Sequence, residues 1–179
     1  KLMSYVLNSN HDHLTQNFSI PSVDNNISDM SAHVFDHKLY LFADHTVYGT
    51  INGVDWGSGH VFPRRVKASY QTSTALYALG YSPSRNHPID LYYFNQREGW
   101  DRVVADGHVF TEVVTTDGPY LYIVSKEADD QYIIMGSADG LSWFQVGDQT
   151  FESVADIEAT AGDLYIVTSE SQVYRAEIE

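Results

Sequence analysis

Polar side chains that both donate and accept hydrogen bonds recur two positions before a phenylalanine: Gln16 before Phe18, His60 before Phe62, His108 before Phe110 and Gln149 before Phe151. Two imidazoles and two carboxamides in equivalent slots suit hydrogen bonding to a sugar, or a buried polar network that caps turns. A second group lies in YSPSRNHP, the longest connection between repeated segments, where Tyr81 precedes Pro83, and Arg85, Asn86 and His87 sit between Pro83 and Pro88. An aromatic ring, an amide and a guanidinium on a loop stiffened by prolines can stack on and hydrogen-bond a glycan, and a solvated insertion is the competing reading. His11-Asp12-His13 puts two imidazoles on one side of an extended segment, but without a third ligand it reads as a surface turn. Asp24-Asn25-Asn26 and Asp129-Asp130 offer oxygen donors of the kind Ca²⁺ takes, without the spacing of a calcium loop. No cofactor is therefore expected, Ca²⁺ being the one ion the composition would suit. Asp29, Glu112, Glu152 and Asp156 fall near the starts of repeated segments and would make a negative throat if they faced a common channel.

Catalysis finds little to work with. There is no Gly-x-Ser-x-Gly, no glycine-rich phosphate loop, and no spacing that brings Glu112 and Asp156 into an acid–base pair. The 179 residues contain no cysteine, which excludes thiol nucleophiles, disulfide scaffolds and Cys-zinc sites. Acidic residues outnumber basic ones by 24 to 10, and a net charge of −14 repels nucleic acid and anionic membranes. No apolar run approaches the roughly 20 residues of a membrane helix, so no membrane insertion is expected. The start, KLMSYVLNSNHDHL, lacks the charge, apolar length and cleavage site of a signal peptide.

The elements that must position these groups are repeats. Leu-Tyr within a short apolar run recurs at Leu39-Tyr40, Leu76-Tyr77, Leu121-Tyr122 and Leu164-Tyr165, followed by a second tyrosine at Tyr48, Tyr92, Tyr132 and Tyr174. Tryptophan follows at Trp56, Trp100 and Trp143, and the closing phenylalanine at Phe62, Phe110 and Phe151. Each unit alternates apolar and polar residues over four to eight positions between turn-forming residues, the pattern of short strands. Asn52-Gly53 and Asp139-Gly140 mark hairpin turns between the third strand and a fourth that carries the tryptophan. Four-stranded units of this length in tandem predict an all-β, four-bladed β-propeller with four antiparallel strands per blade. A single domain over 1–179 is expected, with units near 19–62, 63–110, 111–151 and 152–179. The last unit stops after three strands, so residues 1–18 are expected to supply its fourth strand and close the ring.

SADGLSW, from Ser137 to Trp143, resembles the Asp-box-like S-x-D-G-x-x-W repeats of sialidase-like propellers and of bacterial surface and phage tail or capsid-associated proteins. TINGVDW and NQREGW are degenerate copies. The resemblance implies that Asp139 braces a hairpin away from the ligand face. A sialidase would need an arginine cluster and a Tyr–Glu pair, whereas the six arginines here are scattered apart from Arg64-Arg65. The expected function is a non-catalytic recognition or adhesion module for a glycan or a protein partner, extracellular or on a virion surface. The alternative is a structural assembly or decoration protein of a phage particle, and either role admits a homo-oligomer or larger assembly.

Overall fold

The computed structural model describes residues 2–7, 14–20, 30–53, 55–82, 89–95, 99–104 and 107–178. All of their regular structure is strand. β1 (Leu2–Leu7) and β2 (Leu14–Ile20) form a two-stranded sheet. Four-stranded antiparallel sheets follow in chain order. The first comprises β3 (Met30–Phe35), β4 (Lys38–Ala43), β5 (Thr46–Thr50) and β6 (Gly57–Val61). The second comprises β7 (Val66–Gln71), β8 (Leu76–Tyr81), β9 (Ile89–Asn95) and β10 (Gly99–Arg102). The third comprises β11 (Val109–Asp117), β12 (Tyr120–Lys126), β13 (Tyr132–Ser137) and β14 (Phe144–Gln145). The last sheet has three strands, β15 (Asp156–Thr160), β16 (Asp163–Val167) and β17 (Val173–Glu177). Two compact units are formed, 1–68 and 69–179, the division falling inside β7.

The repeat markers are packing residues. The Leu-Tyr strand is the second of each sheet, and Tyr40, Tyr77 and Tyr122 are buried, as are Leu76, Leu121 and Leu164. All three closing phenylalanines, Phe62, Phe110 and Phe151, are buried too. β12 and β13 are buried at every position but their ends, whereas β15 alternates strictly. Burial of both faces in middle strands is what sheets stacked face to face require. Around the last two sheets, Tyr122, Val124, Ile134, Phe151, Ile157, Leu164 and Ile166 form one apolar cluster.

Two of the third strands carry a glycine opposite the Leu-Tyr tyrosine, Gly49 facing Tyr40 and Gly136 facing Tyr122, whereas Tyr93 faces Tyr77 and Arg175 faces Tyr165. A Cβ on Gly136 would lie 2.6 Å from the Phe144 ring, so only glycine lets that ring cross the strand.

The hairpin turns after these strands share one device. Thr50 Oγ1 accepts the amides of Asn52 and Gly53, while Asn52 Oδ1 accepts that of Asp55. In the third sheet, Ser137 Oγ accepts the amides of Asp139 and Gly140, and Asp139 Oδ1 accepts those of Leu141 (2.8 Å) and Ser142 (2.7 Å). Gly53 and Gly140 take positive φ, 74° and 75°. Asp139 thus does brace a turn. The tryptophan, expected within the fourth strand, precedes it at Trp56 and Trp143 and lies inside it only at Trp100. The indole is used to close the turn, Trp143 Nε1 donating to the Gly140 carbonyl at 3.2 Å.

β1 pairs with β2, Leu2 opposite Ile20 and Leu7 opposite Leu14, and no sheet among the described residues joins them to β15–β17.

Candidate functional site

Within the unit 69–179, a cleft of about 350 Å³ opens between the start of β9, the end of β10 and the segment leading into β11. Its walls are Ile89, Leu91, Val103, Val104, Val109 and Phe110, and its polar groups are Asp90, Arg102 and His108. Each polar group is held from a different element. Asp90 is 5% exposed on β9. At the end of β10, Arg102 Nε and Nη2 both donate to Asp90 Oδ1, at 2.9 and 2.6 Å. The guanidinium is more than half exposed, so the pair turns a buried carboxylate into a polar floor with outward-facing donors.

His108 is positioned by the next sheet. Its Nδ1 lies 3.0 Å from Glu127 Oε1, and both side chains are 27% exposed. An ionised carboxylate only accepts, so Nδ1 carries the proton in this bond. Glu127 is itself fixed in the turn between β12 and β13. It accepts from the Ser125 hydroxyl at 3.2 Å, its amide donates to the Gln131 carbonyl, and the Lys126–Asp130 ion pair (2.6 Å) clamps the turn. Opposite that pair, Phe110 packs on Trp143 at 4.8 Å between ring centroids, which links the cleft wall to the Asp139 turn.

Ser125, Glu127 and His108 include a nucleophile type, a carboxylate and an imidazole, but the hydroxyl donates to the carboxylate rather than to the imidazole. Ser125 is also fully buried, so the trio is not the nucleophile–base–orienter chain of a hydrolase. Burial, aided by Asp117 and Tyr120, pushes the Tyr122 hydroxyl up to about 12.

The four slots before the closing phenylalanines differ in setting. His60 lies on β6 opposite Val47 with its ring edge-on to Phe62 at 4.7 Å, and Gln16 lies on β2 opposite Tyr5. His108 lines the cleft, and Gln149 is exposed beyond β14. Tyr81 ends β8, nearly half exposed and paired with Ile89 of the cleft. Arg85, Asn86 and His87 lie outside the described residues, as do His11 to His13, Asp24 to Asn26 and Asp29. Glu112, Glu152 and Asp156 are exposed. Asp130 is taken up by Lys126, and Asp129 accepts the Gln131 amide. Among the described residues no three His, Asp or Glu side chains cluster as a metal site would need. Asp90, Arg102 and Glu127 escaped sequence reasoning: Asp90 sits within the apolar run of β9, and Glu127 reaches His108 across 19 residues.

No protein-family model matches the chain, and no curated protein matches it in sequence. Solved structures do match in fold. The computationally designed Ika4 protein superposes with a TM-score of 0.55 at 11% identity, over 88% of this chain and 96% of its own. A prolyl endopeptidase reaches 0.55 at 10% identity over 91% of this chain, and the N-terminal domain of Nup159 reaches 0.51 at 14% over 84%. This chain spans 28% and 46% of those two. Tandem four-stranded antiparallel sheets with such neighbours define a β-propeller repeat fold.

Proposed function

We propose that the chain is a non-catalytic recognition module whose four repeat units are the blades of a four-bladed propeller, and that it binds a glycan at the Asp90–Arg102–His108 cleft. The observation that carries this reading is the cleft's composition. Aliphatic walls flank an outward-facing guanidinium and an imidazole held by Glu127. A saccharide offers hydroxyls that accept from Arg102 and hydrogen-bond the His108 imidazole, and C–H faces for Val104 and Val109. The exchange of donors and acceptors needs no bond to break, and the Ser125–Glu127–His108 order supports binding over turnover. The recognition face of an extracellular or virion-surface protein would have this chemistry.

A glycan array on the wild-type protein and on His108→Ala tests it. Binding to a defined set of glycans that falls by about tenfold or more in the variant, about 1.4 kcal/mol, supports the reading. Equal binding by both proteins, or none by either, rejects it. The reading as an assembly or decoration protein predicts the second outcome together with a stable multimer in light scattering.

A further inference from the structure

A second cavity of about 270 Å³ lies one repeat further on, lined by Thr150, Phe151, Glu152, Ser153, Thr168, Glu170, Gln172 and Tyr174. It occupies the same corner of the fold as the first cleft's polar wall. The segment around a closing phenylalanine, here Phe151 in place of Phe110, meets the turn between second and third strands of the following sheet, here β16–β17 in place of β12–β13. From this geometry we infer a second ligand site, specific for a neutral saccharide unit.

The walls are preformed. Thr168, 8% exposed, closes the β16–β17 turn: its amide donates to the Gln172 carbonyl at 3.0 Å and its carbonyl accepts from Ser171 at 3.0 Å. Its hydroxyl oxygen accepts the Gln172 amide at 3.3 Å, and Ser171 takes a φ of 63°. Ser153 Oγ accepts the Ser169 amide at 3.2 Å, tying the turn to the closing segment. The Tyr174 ring is set edge-on against buried Phe151, with centroids 5.2 Å apart, and its hydroxyl donates to Gln172 Oε1 at 2.6 Å. That bond turns the Gln172 amide nitrogen into the donor left for a ligand.

The chemistry of the lining selects the ligand class. Hydroxyls, an amide and an aromatic ring match sugar hydroxyls and a sugar C–H face, and Glu152 and Glu170 accept from vicinal hydroxyls. No Lys, Arg or His lines the cavity, so an anionic sugar meets two carboxylates and no cation. A bare metal ion is disfavoured because no three acidic or imidazole groups converge among the described residues. The first cleft, with Arg102 and His108, lacks this discrimination, so the two sites differ in charge selectivity and either stands without the other.

Amide chemical shifts of ¹⁵N-labelled full-length chain test the inference, with D-glucose, D-galactose and N-acetylglucosamine as neutral probes and N-acetylneuraminic acid as the anionic one. At least one neutral sugar is expected to move Ser153, Ser169 and Gln172 while the anionic sugar leaves them in place. Gln172→Ala, on the exposed turn, and Tyr174→Phe, near the start of β17, should each weaken that response about tenfold. His108→Ala should leave it intact. No movement with any neutral sugar at tens of millimolar, or an undiminished response in both variants, overturns the site. Shifts at Asp90 and Val109 report the first cleft separately, so failure of one site is distinguishable from failure of the other.

Discussion

Replacing Asp139 isolates the device that the repeats share. Its Oδ1 accepts two backbone amides at 2.8 and 2.7 Å and a hydroxyl bond from Ser137 at 3.3 Å. Burial raises its pKa, but the amide and hydroxyl bonds outweigh it and hold the carboxyl below its ordinary 3.8. A side-chain cap on backbone amides contributes about 0.5–2 kcal/mol, and exposure screens the charge, so Asp139→Ala should cost about 1–1.5 kcal/mol. Asp139→Asn should cost under about 0.5 kcal/mol, because Asn52 performs the same task in the first sheet with a neutral oxygen. Urea unfolding should show lowered midpoints with unchanged m-values. The pH dependence follows from the depressed pKa. The carboxylate's extra contribution is complete above 3.8 and is lost as pH falls through the lower folded value, so in acid wild type should fall to the stability of Asp139→Asn, still above Asp139→Ala, while Asp139→Asn shows no such pH dependence. If Asp139→Asn is as damaging as Asp139→Ala, or if both are neutral, the turn is not held as described.

Three further substitutions probe the packing. Gly140→Ala should destabilise by about 1–3 kcal/mol in thermal melts, since its φ is 75° and a Cβ would lie 2.8 Å from the Tyr93 ring. Tyr77→Phe should leave stability unchanged or raise it by about 1 kcal/mol, because the fully buried hydroxyl has no hydrogen-bond partner among the described residues; a loss of that size would show a partner. Arg102→Met strands the buried Asp90 and should cost about 1–2 kcal/mol, reduced from the value for a fully buried pair by the guanidinium's exposure. Adding Asp90→Asn should recover part of that loss in a double-mutant cycle.

The repeat was legible because its markers are packing residues. Leu76-Tyr77, Leu121-Tyr122 and the closing Phe62, Phe110 and Phe151 must fill equivalent holes between stacked sheets, so type and spacing persist where the rest varies. Turn chemistry was equally readable at Asn52-Gly53 and Asp139-Gly140, where positive φ demands glycine. The site was half legible: His108 stood out by position, but the Glu127 beside it follows from the β11–β12 register that sets Val109 opposite Lys126, and the Arg102 cover on buried Asp90 follows from the β9–β10 pairing. Identical slots also diverged, His60 packing on Phe62 and Gln149 standing in solvent, because a repeated side chain records a repeated backbone solution before any shared ligand.

The central claim is that the Asp90–Arg102–His108 cleft holds a glycan without transforming it. The most direct measurement is an amide shift map of the ¹⁵N-labelled protein with its best array glycan, followed by mass analysis of that glycan after prolonged incubation. Shifts are expected at 89–91, 102–104 and 107–110, weakened about tenfold or more in His108→Ala, with the glycan recovered intact. Shifts confined to other segments, or a cleaved glycan, would contradict it.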